Sequence, residues 1–127
     1  ALSTKKRYLQ SEEKAREQRL NQRVENTSPS LEPQDYQGRY VDTFYGKAEV
    51  RITDEGLELS LLPAAAFFTS GMKHWHYDTY RVDFKDPFLP FGLVTFDLNS
   101  KGDVRGFSID LPSHDFHFQN LYFEKIP

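Results

Sequence analysis

Two histidines, a tryptophan, a tyrosine and an aspartate occupy consecutive positions in His74-Trp75-His76-Tyr77-Asp78, and this is the chain's densest cluster of chemistry-bearing side chains. It contains the only tryptophan and two of the four histidines. On an extended backbone His74 and His76 share one face of a strand, while Trp75 and Tyr77 share the other. Two imidazoles on one face can begin a zinc site, with His114 or His117 from the last hairpin as a third ligand and one position left open. Such a site also needs partners that orient each ring. A His-x-His pair is a weak signal by itself, and histidines at a barrel mouth more often bond to backbone or tyrosine. The expectation is therefore a structural segment, with no metal and no cofactor. His74, Trp75, His76 and Tyr77 remain the residues that would meet a ligand if this domain binds one.

Other constellations are weaker. Ser3-Thr4-Lys5-Lys6 and Ser11-Glu12-Glu13-Lys14 both read Ser-x-x-Lys, the nucleophile pattern of penicillin-binding enzymes. Each sits in a charged stretch with nothing to desolvate its lysine, and neither Tyr-x-Asn nor Lys-Thr-Gly follows. Asp83, Asp86, Asp97, Asp103, Asp110 and Asp115 fall mostly at turns or strand ends, where aspartate caps the backbone. No glycine loop for phosphate is present. No catalytic residues are assigned, and this chain alone is not expected to be an enzyme.

The elements that must position these residues divide the chain near Glu32. Residues 3–25 read as a helix, with Ser3 as cap and no glycine or proline inside. Leu2, Leu9, Leu20 and Val24 fall within about 60° of one another around it. Glu13 and Arg16 interrupt that stripe, so the helix needs a neighbour. Residues 1–25 carry seven Lys/Arg against four Glu, a net of +3, whereas the whole chain is −3. The glutamates are interspersed and Tyr8 is the only aromatic in this stretch, so no aromatics are interleaved for stacking, which argues against nucleic acid. The expected division is a helical connector at 1–27, a linker at 28–35 and a barrel domain at 36–127.

From Tyr36 onward the apolar period becomes two, and turn signals recur at short intervals. Eight strands are predicted near residues 37–42, 46–53, 56–62, 72–76, 78–84, 92–98, 103–110 and 115–124. Short consecutive strands with no intervening helix imply an antiparallel meander, and eight can close into an up-and-down barrel without edges. All eleven phenylalanines and six of the seven tyrosines lie after position 35, which favours a filled interior over a ligand cavity. The loop Leu62-Pro63-Ala64-Ala65-Ala66-Phe67-Phe68-Thr69 is the most apolar segment outside a strand, fit to lid one barrel end or rest on a partner.

Cysteine is absent, so disulfides and thiolate chemistry are excluded. No apolar run approaches the ~18–20 residues of a membrane span. The only methionine is Met72 and the first residue is Ala1; the expectation is a processed chain or a domain excised from a longer protein.

Three segments, taken in order, resemble a known family. They are Tyr36-Gln37-Gly38-Arg39-Tyr40, Phe44-Tyr45-Gly46-Lys47-Ala48-Glu49-Val50 and His74-Trp75-His76-Tyr77-Asp78-Thr79-Tyr80. Val94-Thr95-Phe96 and Gly102-Asp103-Val104-Arg105-Gly106 extend the match. Together they resemble the C-terminal accessory domain, of unknown function, of class C β-lactamase-like and penicillin-binding-protein-like serine hydrolases. The one departure inside the motifs is Tyr80, where that domain has phenylalanine. The resemblance implies a lipocalin-like barrel without catalytic residues, joined to a catalytic domain that this chain lacks, and shaping active-site access or making domain or oligomer contacts. A periplasmic or extracellular location is implied by the resemblance alone. The competing expectations are a free-standing binder of a small apolar ligand and a zinc site on His74 and His76.

Overall fold

The computed structural model describes residues 4–85, 89–111 and 121–127, with residues 4–12 described by their backbone. Helix α1 spans Thr4–Asn21 and a short helix α2 spans Pro33–Tyr36. The strands are β1 (Gly38–Asp42), β2 (Gly46–Thr53), β3 (Gly56–Leu61), β4 (Thr69–His76), β5 (Thr79–Val82), β6 (Gly92–Leu98), β7 (Val104–Asp110) and β8 (Leu121–Ile126). Each pairs antiparallel with the next, and β8 returns to β1 to close the barrel. The eight-stranded up-and-down barrel expected from the alternating pattern is thus the observed fold.

The differences from expectation are local. α1 ends at Asn21, short of residue 25, and Arg23 to Ser30 continue as an irregular strap. Inside the expected linker, Pro33 starts α2, because its fixed φ suits a first helical position. Tyr36 therefore closes a helix just before β1. The apolar loop after β3 contains a single 3₁₀ turn at Leu62–Ala64. Residues 112–120, which include His114, His117 and the start of the expected last strand, lie outside the described residues, as do Ser3, Asp86 and Asp115.

Alternation explains the interior. Tyr40, Val50, Leu59, Leu61, Val82, Val94, Phe107 and Phe123 point inward and are almost fully buried. Their rings interlock: Phe107 stacks on Phe123 at 4.9 Å between ring centres, and Tyr36 lies 4.6 Å from Phe96. Edge contacts from Tyr40 to Phe107 and from Tyr80 to Phe96 extend the cluster across the barrel. Such tilted and edge-on pairs suit the charge distribution of aromatic rings. Two glycines in the resemblance motifs are required sterically. A Cβ on Gly106 would lie 2.4 Å from the Phe123 carbonyl oxygen, and one on Gly46, at φ +120°, would meet Pro63 at 3.0 Å.

Candidate functional site

The segment from His74 to Tyr80 forms the end of β4, a tight turn and the start of β5, and its register decides where each side chain points. Met72 pairs with Val82, Lys73 with Arg81 and His74 with Tyr80, but the register then slips so that His76 pairs with Thr79. The slip is a β-bulge at Trp75, which gives one strand an extra residue and ends strict alternation. Paired residues share a face of the sheet. His74 is therefore on the side of core residue Tyr80, with their rings 5.6 Å apart, while His76 is on the opposite side with Thr79. The expectation that the two histidines share a face is overturned, because a single bulge residue moves everything after it by one position.

Trp75 and Tyr77 are likewise separated. Trp75 is 5% exposed, but it packs outside the barrel core, its ring 5.5 Å from that of Phe91. Tyr77 occupies the turn at φ +46° and is 57% exposed. Positive φ is uncommon for a bulky residue and stores strain. Two bonds hold that turn: the Tyr77 amide donates to Thr27 Oγ1 at 2.9 Å, and His74 Nε2 meets the Tyr77 carbonyl at 2.8 Å.

The chain's own upstream strap occupies the rest of this hairpin. Arg23 Nε donates to the Trp75 carbonyl at 2.9 Å, and the Val24 amide donates to His76 Nδ1 at 3.0 Å. Asp78 accepts from the Ser30 amide at 2.8 Å, from Ser30 Oγ at 2.7 Å and from the Tyr36 hydroxyl at 2.6 Å. Burial raises the Asp78 carboxyl pKa, but the bonds from Tyr36 and Ser30 outweigh it and leave the group below its ordinary value. Burial, followed by the bond to Asp78, pushes the Tyr36 hydroxyl well above the usual tyrosine range, so it stays a donor. Tyr36 also accepts from the Leu31 amide, and its carbonyl accepts from the Tyr40 hydroxyl at 2.7 Å. Tyr36 and Asp78 thus fasten strap to barrel, and Tyr40 holds α2 to β1.

Outside the barrel wall, α1 and the strap contribute guanidinium groups. Arg19 lies 4.0 Å above the centre of the Phe91 ring, Arg81 lies 4.4 Å from the same centre, and Arg23 lies 5.3 Å from that of Trp75. Cations over aromatic faces are attracted by the ring quadrupole. Two donors in this seam, Arg19 Nη2 and Trp75 Nε1, are buried without a hydrogen-bond partner among the described residues. A cleft of about 240 Å³ opens beside Trp75, lined by residues 23–27 with His74 and Trp75.

These placements show what sequence reasoning located and what it missed. The dense segment is the centre of the site, but Arg19, Arg23, Thr27 and Ser30 were not singled out. The available signal was the four-residue spacing of Arg19 and Arg23, which puts both on one side of a helix. Among the described aspartates, Asp83 holds Arg81 through two bonds of 3.0 and 3.1 Å, and Asp97 accepts from Tyr122. Among the described residues no group of three or more His, Asp or Glu is placed to hold a metal ion. Among them too, no helix is long and apolar enough to cross a membrane.

Fold and site together define a closed eight-stranded barrel whose upstream segment is strapped across the β4–β5 hairpin. Residues 22–125 match the family described as a domain of unknown function (DUF3471), and the chain belongs to that family. No curated protein and no solved structure matches it.

Proposed function

We propose that this chain is the non-catalytic accessory barrel of a β-lactamase-like serine hydrolase, periplasmic or extracellular like the group it resembles. The carrying observation is that the resemblance motifs supply the bonds between barrel and strap. Tyr36, His74, His76 and Asp78 are each engaged in binding the upstream segment or the hairpin turn. Such a motif set is what a domain needs to hold a connector in a fixed orientation.

The course of α1 supports the same reading. Arg23, in the strap, sits at the C-terminal end of β4, and Arg19, near the end of α1, sits on Phe91 just before β6. Phe91 lies at the barrel end that carries the β1–β2 and β3–β4 loops, so the chain passes from that end to the β4–β5 hairpin between Arg19 and Arg23. That end exposes Phe44, Leu62 and Phe67, with Phe44 95% exposed. Clustered exposed apolar groups commonly mark interaction surfaces. A catalytic domain joined through α1 would meet this rim, and the barrel would shape access to its active site or brace contacts between copies.

The test is to read the native open reading frame around the codon for Ala1. The expected result is an upstream, in-frame domain containing Ser-x-x-Lys. A frame that starts at or just before Ala1 would defeat the proposal.

A further inference from the structure

We propose that the seam between the end of α1 and β4 binds a small monocarboxylate. The first observation is the pair of orphaned donors. Trp75 is 5% exposed, its indole N–H has no acceptor among the described residues, and Arg19 Nη2 is buried in the same condition. Native structures seldom leave buried donors unmatched, and a charged donor is the costlier case. Both unmatched groups are donors, so the missing partner is an acceptor.

Charge selects its class. Three guanidiniums, those of Arg19, Arg23 and Arg81, converge on the Trp75–Phe91 pair. Among the described residues, Asp83 is bonded to Arg81, Asp110 lies close enough to Arg19 to favour its charged form, and Glu25 lines the cleft beside Arg23. A dianion would face all three carboxylates, so a monoanion is the better match to the unmatched donors. A carboxylate also presents two oxygens in a plane, the shape that guanidinium groups recognise best.

The space and the rigidity fit as well. The adjoining cleft of about 240 Å³ exceeds the roughly 30 Å³ of one water, so it admits a molecule larger than solvent. Arg23 is already positioned by bonds to the carbonyls of Trp75 and His74, at 2.9 and 3.4 Å. The side chain therefore gives up little freedom when an anion arrives. The ligand's carboxylate would accept from Arg19 and Trp75, with the remainder lying along the strap. This site depends only on residues of this chain and not on what lies upstream.

Trp75 is the only tryptophan, so its emission reads the site directly. The intact chain is titrated with acetate and with N-acetylglycine at constant ionic strength, using sodium chloride, acetamide and inorganic phosphate as comparisons. The expected result is a saturable change in emission and a rise in Tm with the two carboxylates only. Arg19→Gln should weaken the response by about tenfold, the loss of one charged hydrogen bond. Trp75→Phe keeps the ring packing and removes the N–H, so it should reduce the Tm rise. An equal response to chloride, acetamide or phosphate overturns the proposal. So does an unchanged affinity in folded Arg19→Gln, or, if that variant is unfolded, an undiminished Tm rise in Trp75→Phe.

Discussion

The Val24 amide donates to His76 Nδ1 at 3.0 Å, joining residues fifty-two positions apart through a nitrogen that must be unprotonated to accept. Burial, then the nearby charges of His74 and Arg23, lowers the His76 pKa below its ordinary value of 6.5. A base with a lowered folded pKa binds fewer protons folded than unfolded, so stability rises with pH. The bond's contribution is complete above about pH 6.5 and is lost as pH falls through the lowered folded value. Hydrogen exchange should show Val24 losing protection across that interval while Val50 and Val94 in the barrel keep theirs. In His76→Ala the Val24 amide should exchange fast at every pH, and a persistent pH step there would disprove this linkage.

Tyr36→Phe removes the hydroxyl that donates to Asp78 and accepts from Leu31. The ring packing on Phe96 remains, so the loss isolates the polar network. Asp78 is only half-buried and keeps its two bonds from Ser30, so losing the Tyr36 hydroxyl should cost about 1–2 kcal/mol, read as a lower urea midpoint with an unchanged slope. Asp78 has the opposite proton bookkeeping from a raised acid: its lowered folded pKa means its contribution is complete above its ordinary value of 3.8 and fades as pH falls through the lowered one. The gap between wild type and Tyr36→Phe should therefore narrow in strong acid.

Gly106→Ala should destabilise the barrel by about 1–3 kcal/mol, the usual range for overpacking, because its Cβ would strike a backbone oxygen of β8. Gly71→Ala is the matched control on another strand. Nothing lies within 4 Å of the Cβ it would add, and a change within about 0.5 kcal/mol is expected. Thermal unfolding of the two variants side by side checks both; equal shifts would contradict the packing account.

Deleting residues 1–21 removes Arg19 from Phe91 but leaves the strap bonds of Arg23, Val24 and Ser30. The barrel should still unfold cooperatively, with Trp75 emission shifted to the red as one covering side chain is lost. Loss of all folded circular dichroism would show that α1 is part of the core.

The barrel was readable because its evidence is periodic. Leu57, Leu59 and Leu61 alternate, and the turns between strands carry their own residue signatures, so even β6 can be bounded at residues 92–98 from sequence. α2 was not readable, because Pro33-Gln34-Asp35-Tyr36 looks like linker until its tyrosine finds Asp78. The candidate site was half legible. Its residue types identified the hairpin, but the faces of His74 and His76 depended on a bulge, and a bulge leaves no mark in a one-dimensional pattern. The strap was invisible for a related reason. Thr27 and Ser30 are ordinary loop residues until partners some fifty positions away give them one conformation.

The strap also sets a competitive threshold for anything that would approach the hairpin. Because it is covalently continuous with β1 through α2, its encounter with residues 73–80 is intramolecular, with an effective concentration of about millimolar for a short tether. A free peptide copying residues 23–30 would have to exceed that level to displace it, even with identical contacts. Cutting the chain between the strap and α2 would remove the advantage at once, so one backbone break could turn a permanent internal attachment into a reversible, concentration-dependent one.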